Sequence, residues 1–428
     1  MTQPIAANLA FSPLAPGSTI GKFTCLRLLN EGGQASLYLV CPQTISALQR
    51  FGLRARLALL GPSQALVERY QLGVIKIPRP KYQAHLYDER GYLSLPSMEH
   101  QHLGQLYNRR FRQSGQALAK ADLDFVDLPD ASGEVLRYPY ITLVYEPGGS
   151  LRDLLKARRY RPLKPAQVVQ IALQLAEVLH FLHTGPRLVY NDLAPDNVIL
   201  HEALSPWRKT EPRVALIDLA AADSLDNPRH QNVYGRSHYM PPERLRTPPA
   251  AMSAQVDIYG LGMLMYELLA GKLEYQNTAD LLNPERQLRP INELNPQVSR
   301  DLNYLVMQAI DRDSVRRNIN LPAMDSLQRA MRNLPEAKTP GALRGPLTAR
   351  FWLQWGLALA AIILVFVLMT QLLQGMAQPD GSATVAPALP TITALPMTPT
   401  ISTPTSTPTP PPSPVPTSTR IPTATAQP

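Results

Sequence analysis

Three oxygen-bearing residues stand inside two short apolar runs, and their spacing singles them out. Asp192 and Asn197 interrupt Val189–Leu200, and Asp218 interrupts Val214–Leu219. Carboxylate and amide oxygens are hard donors of the type a hard cation takes, and a carboxylate can also accept a proton. An isolated Asp or Asn in a turn is usually a local cap or turn residue. Here Asn197 follows Asp192 by five positions, Val198-Ile199-Leu200 come next, and Ile217 leads straight into Asp218. That order argues against unrelated turn residues. Two further charges have chemical context. Lys76 sits in the apolar stretch Gly73-Val74-Ile75-Lys76-Ile77, ended by Pro78. Glu99 precedes Leu103 and Leu106 by four and seven residues, a spacing that predicts a helix over Met98–Leu106 with Glu99 beside its buried stripe.

Such residues need a scaffold, and the chain supplies two kinds. Lys22–Leu29 and Ser36–Val40 read as strands around the turn Asn30-Glu31-Gly32-Gly33-Gln34-Ala35, a hairpin pattern. Residues 41–72 scatter Arg50, Arg54, Arg56 and Arg69 among leucines and alanines, with a break at Gly61-Pro62. They read as a partly helical insertion to which no function attaches. Gly73–Ile77 is a strand, and so is Ile141–Tyr145, which ends in Glu146-Pro147-Gly148-Gly149-Ser150. The pattern then turns helical. Pro165–His183 places Ile171, Leu175, Val178, Leu179 and Leu182 on one face, and helices are expected at Val256–Ala270, Arg300–Ile310 and Pro322–Leu334. The class is α+β, β-rich first and helical second.

In this order the pieces resemble a protein kinase, from about Gly17 to Leu334. YNDLAPDNVIL (190–200), ALIDLAAA (215–222), YMPPE (239–243) and DIYGLGMLMYELLAGK (257–272) are similar to the catalytic loop, the metal-binding segment, the P-E signature and the long central helix. EPGGSLRDLL (146–155) resembles the hinge and its following helix, and DRDSVRRN (311–318) the late arginine segment. The likeness is greatest to bacterial receptor-type Ser/Thr kinases. It implies a bilobal fold, a β-rich N-lobe and a helical C-lobe, spanning 17–336 with the insertion at 41–72. It also implies ATP as phosphate donor and Mg²⁺, with Mn²⁺ as substitute, as the ion. By the resemblance, Lys76 holds the α- and β-phosphates and pairs with Glu99, Glu89 being the competitor for that pairing. Asp192 accepts or orients the substrate hydroxyl proton, and Asn197 and Asp218 are metal ligands. Asn30, Gly32, Gly33 and Ala35 form the phosphate loop, with Val144 and Tyr145 at the hinge. Glu243 and Arg317 tie the substrate-side loop to the C-lobe, and Asp257 braces the catalytic loop.

The departures from the family pattern are specific. Asn30 and Ala35 stand where the phosphate loop has glycine, so a Cβ restricts backbone approach to phosphate. Asn191 replaces the arginine before the catalytic aspartate. Between Asp218 and Glu243 the hydroxyl residues are Ser224, Tyr234, Ser237 and Tyr239, without a threonine, which disfavours switching by loop phosphorylation. Ala194 stands where Ser/Thr kinases usually carry a lysine that helps neutralise the transferring phosphate. Leu219-Ala220 replaces Phe-Gly, and Ala220 stiffens the segment. Two functional readings follow: a Ser/Thr protein kinase acting on cytoplasmic proteins, or a pseudokinase that binds nucleotide and serves as a signalling scaffold. The retained lysine, base and metal ligands favour the enzyme, because losing one of those is more damaging than trimming supporting glycines.

Beyond the kinase-like stretch the composition changes. Trp355–Leu373 carries no charge and spans about 28 Å as a helix, which matches a bilayer core, so a transmembrane helix is expected at 353–374. Lys338, Arg344 and Arg350 precede it in the 337–352 linker, whereas the tail holds only Arg420. Basic residues favour the cytoplasmic side, which places the kinase-like domain in the cytoplasm and the tail outside. Residues 375–428 are mostly Pro, Thr, Ser and Ala, read as a disordered exterior spacer; residues 1–16 read as a flexible N-terminus without signal-peptide pattern. The formal net charge of +9 comes from scattered residues, which points to attraction to anionic lipid and not to nucleic acid. A homodimer is compatible with the family likeness, although no dimer surface is legible. Cys25 and Cys41 flank the glycine turn; they exclude a disulfide framework and read as reduced core residues that could face each other across the hairpin.

Overall fold

The structure is a computed structural model that describes residues 11, 13–95, 97–111, 124–130, 132–204, 211–228, 236–246, 248–275, 277–283 and 285–338. The expected membrane helix and tail lie outside the described residues.

Alternating apolar residues build a six-stranded antiparallel sheet, ordered β1-β2-β3-β4-β6-β5. The strands are β1 (Thr19–Ile20), β2 (Phe23–Glu31), β3 (Ala35–Pro42), β4 (Gly73–Pro78), β5 (Asp124–Pro129) and β6 (Val135–Val144). Directly opposed residues share a face, so the register decides what the sheet presents. Leu37 opposes Lys76 and Leu39 opposes Val74, while Val74 opposes Leu143. Lys76 therefore rises from an apolar strip. Cys25 opposes Val40, and Cys41 is the next residue along β3; the two cysteines fall on opposite faces and do not face each other, which leaves the reading as reduced core residues. Both are free and buried. Burial raises both thiols, Cys25 and Cys41, to about 11.

The insertion is helical twice over. Ser46 caps Ala47–Leu60 with a reciprocal bond to Gln49, and Gly61 ends that helix. Ser63 caps Gln64–Tyr70. Leu53, Val67 and Leu72 pack with Leu26, Leu39, Cys41 and Tyr145, and Leu29 and Val74 touch the same cluster. The outer side of the first helix leaves Leu48, Phe51, Leu59 and Leu60 exposed.

The helix expected at Met98–Leu106 is absent. A helix occupies Gln83–Ser94, and residues 102–105 bond to other segments, with backbone bonds Gly104 N to Leu216 O, 2.7 Å, Leu216 N to His102 O, 2.8 Å, and Val144 N to Gln105 O, 2.9 Å. Pro96 and Gly104 punctuate that stretch, and the leucines read as helical face the core from bridges to other segments. The strand β5 falls in a stretch where no element was expected.

The second half packs around Pro165–Thr184 and Gln255–Ala270, both buried over most of their length. Among the described residues Pro165–Thr184 is also the one helix long and apolar enough to cross a membrane, yet it is the centre of this core. The late helices are Arg300–Ala309, Ser314–Asn320 and Met324–Asn333. Gly148 joins the halves: its N–H donates to Leu200 O at 2.9 Å, and a Cβ there would lie 2.3 Å from that oxygen, so only glycine fits.

Candidate active site

Lys76 projects from β4 into a nearly closed environment and meets two carboxylates. Its Nζ lies 2.6 Å from Glu89 Oε2 and 2.8 Å from Asp218 Oδ1. The pairing expected with Glu99 is not formed. Glu99 is exposed and lies 3.6 Å from Arg109, whereas Glu89 is buried between Leu86 and Leu93 on the Gln83–Ser94 helix. The spacing of 86, 89 and 93 is itself helical and was the signal that could have found it. Burial alone would lower the Lys76 ammonium, but Asp218 and Glu89 outweigh it and hold it above its ordinary value. Burial pushes Glu89 up against the pull of Lys76, with Asp218 adding to the rise. Burial would also raise Asp218, but Lys76 overrides this and holds it below the usual carboxylate range. One cation thus serves two carboxylates.

Asp218 has a positive φ of 66°, a left-handed conformation that Asp tolerates better than most residues. Its Oδ1 also accepts from Ala220 N at 3.2 Å. Asn191, also left-handed at φ 67°, donates Nδ2 to Ala221 O at 3.2 Å, which links the two loops.

Asp192 follows on the neighbouring loop. Asn197 Nδ2 donates to the Asp192 carbonyl at 2.9 Å and to its Oδ2 at 2.8 Å. Arg236 donates its backbone N–H to Oδ1 at 3.1 Å, and its Nη1 lies 3.4 Å from Oδ2. Burial raises Asp192 above the ordinary carboxylate range; Arg236 opposes that, and Asp218 adds to it. Beneath the loop, Asp257 accepts from Tyr190 N and Asn191 N, each at 2.8 Å, and meets His183 Nε2 at 2.7 Å. Buried Arg317 donates to Glu243.

The donor set suits Mg²⁺. Asn197 commits its nitrogen to Asp192, so its amide oxygen is the atom left to face a cation, and Asp218 adds a carboxylate that is 27% exposed. Mg²⁺ uses one or two protein ligands and completes its shell with water and phosphate oxygens. Among the described residues no cluster of three His, Cys, Asp or Glu competes as a metal cage.

The glycine turn is held shut from within. Gly32 N donates to Ala35 O at 3.0 Å, and Arg79 Nε donates to Gly32 O at 3.1 Å. Gly33 has open space where a Cβ would be, Asn30 is exposed, and Ala35 is buried. At the hinge, Tyr145 packs into the insertion cluster. Val144 lines a cavity of about 560 Å³ shared with Glu68, Gln105, Arg110, Glu146 and His201. Arg236 was not foreseen, and no spacing in the sequence marks it.

Residues 130–328 match the protein kinase domain family. A probable serine/threonine-protein kinase of Clostridium perfringens is 26% identical over 217 residues, 49% of this chain and 30% of that protein. PknB of Mycobacterium leprae is 26% identical over 47% of this chain and 32% of its own, and PrkC of Bacillus subtilis 26% over 49% and 31%. The chain therefore spans about a third of the length of these curated relatives. The solved kinase domain of Mycobacterium tuberculosis PknI aligns with a TM-score of 0.47 at 16% identity, over 75% of this chain and 98% of that one. The family match covers Asp192, Asn197 and Asp218, and over residues 130–328 the chain is similar to the protein kinase domain, as it is to these bacterial serine/threonine protein kinases.

Proposed function

We propose that this protein transfers the γ-phosphate of ATP to serine or threonine hydroxyls of cytoplasmic proteins, as a kinase anchored by one membrane helix. The observation that carries the reading is the Lys76 ammonium held between Glu89 and Asp218, with the Asp192–Asn197 pair close by. In this assignment Lys76 orients the α- and β-phosphates, and Glu89 fixes Lys76. Asn197 and Asp218 hold Mg²⁺, which when bound draws off charge from the phosphates. Asp192 takes the hydroxyl proton, and burial raises its affinity for protons above the ordinary carboxylate range. Gly32, Gly33, Val144 and Tyr145 flank the nucleotide. Arg317–Glu243 and Asp257 keep the loops in place.

The membrane part of the proposal rests on the charge-free Trp355–Leu373 run and the basic residues before it. Residues 337–352 are then the juxtamembrane linker, lipid surrounds 353–374, and 375–428 lies outside.

The test uses the full chain in detergent with radiolabelled ATP, Mg²⁺ or Mn²⁺, and a generic basic protein. Label should appear on serine or threonine and vanish in Asp192→Asn and Lys76→Met. A wild-type protein that binds Mg-ATP yet transfers nothing would instead establish the scaffold reading.

A further inference from the structure

Phosphoryl transfer needs positive charge on the substrate side of the phosphoryl group, and the catalytic loop does not provide it. Ala194, two residues beyond Asp192, is fully buried and ends at Cβ. Among the described residues, three cations stand near this wall of the site. Lys76 is committed to Glu89 and Asp218. Arg152 is committed to Glu267 at 2.5 Å, to Asp196 at 3.2 Å and to Tyr239 Oη at 2.8 Å. Arg236 differs. It enters from the segment before the Ser237–Tyr239 turn, donates its backbone N–H to Asp192 Oδ1 at 3.1 Å, and brings Nη1 to 3.4 Å from Asp192 Oδ2 and Nε to 3.9 Å from Asp196 Oδ2. These side-chain contacts are loose, and the side chain stays 41% exposed. It lines an open pocket of about 440 Å³ beside Ser237, Tyr239 and Glu267.

We infer that Arg236 supplies, from the activation segment, the charge that Ala194 cannot supply from the catalytic loop. The inference rests on the kinase reading. In the transfer, the substrate hydroxyl oxygen forms a bond to the γ-phosphorus while the bond from that phosphorus to the β–γ bridging oxygen breaks. ADP leaves, and the hydroxyl proton passes to the Asp192 carboxylate. Negative charge on the moving phosphoryl oxygens is met by the Arg236 guanidinium, whose planar set of N–H donors matches two phosphoryl oxygens at once. The backbone bond from Arg236 to Asp192 fixes the guanidinium relative to the base, so charge and base arrive as a unit.

The experiment is steady-state phosphoryl transfer by the full chain to a histone mixture, in Arg236→Ala and Arg236→Lys beside wild type. Removing one donor to a developing charge lowers kcat by about 100-fold, so Arg236→Ala should lose about that much while KM for ATP and for histone stay within about threefold. Arg236→Lys, which keeps the charge, should retain at least about a tenth of wild-type kcat. Added guanidinium ion should restore part of the kcat of Arg236→Ala and none of that of Asp192→Asn. Wild-type kcat in Arg236→Ala overturns the inference, and so does a loss confined to histone KM, which would make Arg236 a seat for substrate. A faster Arg236→Ala overturns it too, because the arginine would then be a cap that shields Asp192. Equal loss in both variants, with melting temperatures unchanged and no guanidinium rescue, also refutes the charge role. An inactive wild type removes the kinase reading itself, an outcome read before any variant.

Discussion

Glu89 and Glu99 carry the same side chain and differ in everything that decides whether a glutamate can serve a buried lysine. Glu89 is fully buried with its Oε2 at 2.6 Å from Lys76, while the Glu99 side chain is 65% exposed beside Arg109. A hydrogen bond to a charged partner contributes about 2 kcal/mol, which equals about a 30-fold rate effect when it positions a catalytic group. Glu89→Gln should therefore lower kcat/KM for ATP by about 30-fold, with Asp218 still holding Lys76 in part. Glu99→Gln should stay within about twofold, as expected of an exposed pair. Comparing the two variants in one transfer assay separates the assignments; a large effect in Glu99→Gln would return the role to it. The same logic explains why Asp192 and Asn197 were legible from sequence and Glu89 was not. The first two sit within one loop, at a fixed spacing. The Lys76–Glu89 pair joins a strand to a helix through tertiary packing, and the 86, 89, 93 spacing competes with the 99, 103, 106 spacing until the burial of Leu86 and Leu93 tells which glutamate turns inward.

At the scale of elements, the insertion packs against the sheet from which Lys76 projects. Its Leu53 and Val67 pack on the sheet face that also presents Lys76, and the cluster reaches Leu29 and Val74. Leu53 has no exposure, whereas Leu48, on the outer side of the same helix, is 81% exposed. Leu53→Ala should cost about 3 kcal/mol in denaturant unfolding and weaken Mg-ATP binding, because the floor beside Val74 loses support. Leu48→Ala should change stability by less than about 0.5 kcal/mol. If Leu53→Ala lost stability but bound Mg-ATP as wild type does, the insertion would brace the lobe without shaping the site. The sequence made Pro165–Thr184 and Gln255–Ala270 legible because their periodicity runs for four turns or more. It misled at Met98–Leu106, where Glu99, Leu103 and Leu106 lie outside any helix and the two leucines form isolated bridges to Leu216 and Leu143. Residues 41–72 read only as partly helical because Leu53 and the exposed Leu48 look alike until a partner face is known. Their capping serines, Ser46 and Ser63, were the stronger signal.

For the whole molecule, the question is what the kinase domain is attached to, and hydropathy alone answers it badly. Pro165–Thr184 is apolar enough to cross a bilayer, and it is the centre of a protein core. What separates Trp355–Leu373 from it is context: basic residues precede it, and a Pro/Thr-rich stretch with no core-forming pattern follows. The proposed anchor therefore predicts that the full chain, made in bacteria, sediments with membranes and stays there through alkaline carbonate. Chains ending at Lys338 should move to the soluble fraction. An arginine at the middle of the run, Leu364→Arg, costs about 2.5–3.5 kcal/mol of insertion free energy and should shift a measurable share of the protein out of the membrane. Protease added to spheroplasts should remove the Pro/Thr-rich end and spare the kinase domain. Carbonate extraction of the intact chain would make the apolar run a docking segment for protein, and digestion of the kinase domain in spheroplasts would reverse the orientation. Either result would leave the Lys76–Glu89–Asp218 triad untouched, because that triad and the proposed anchor lie on separate units of the chain.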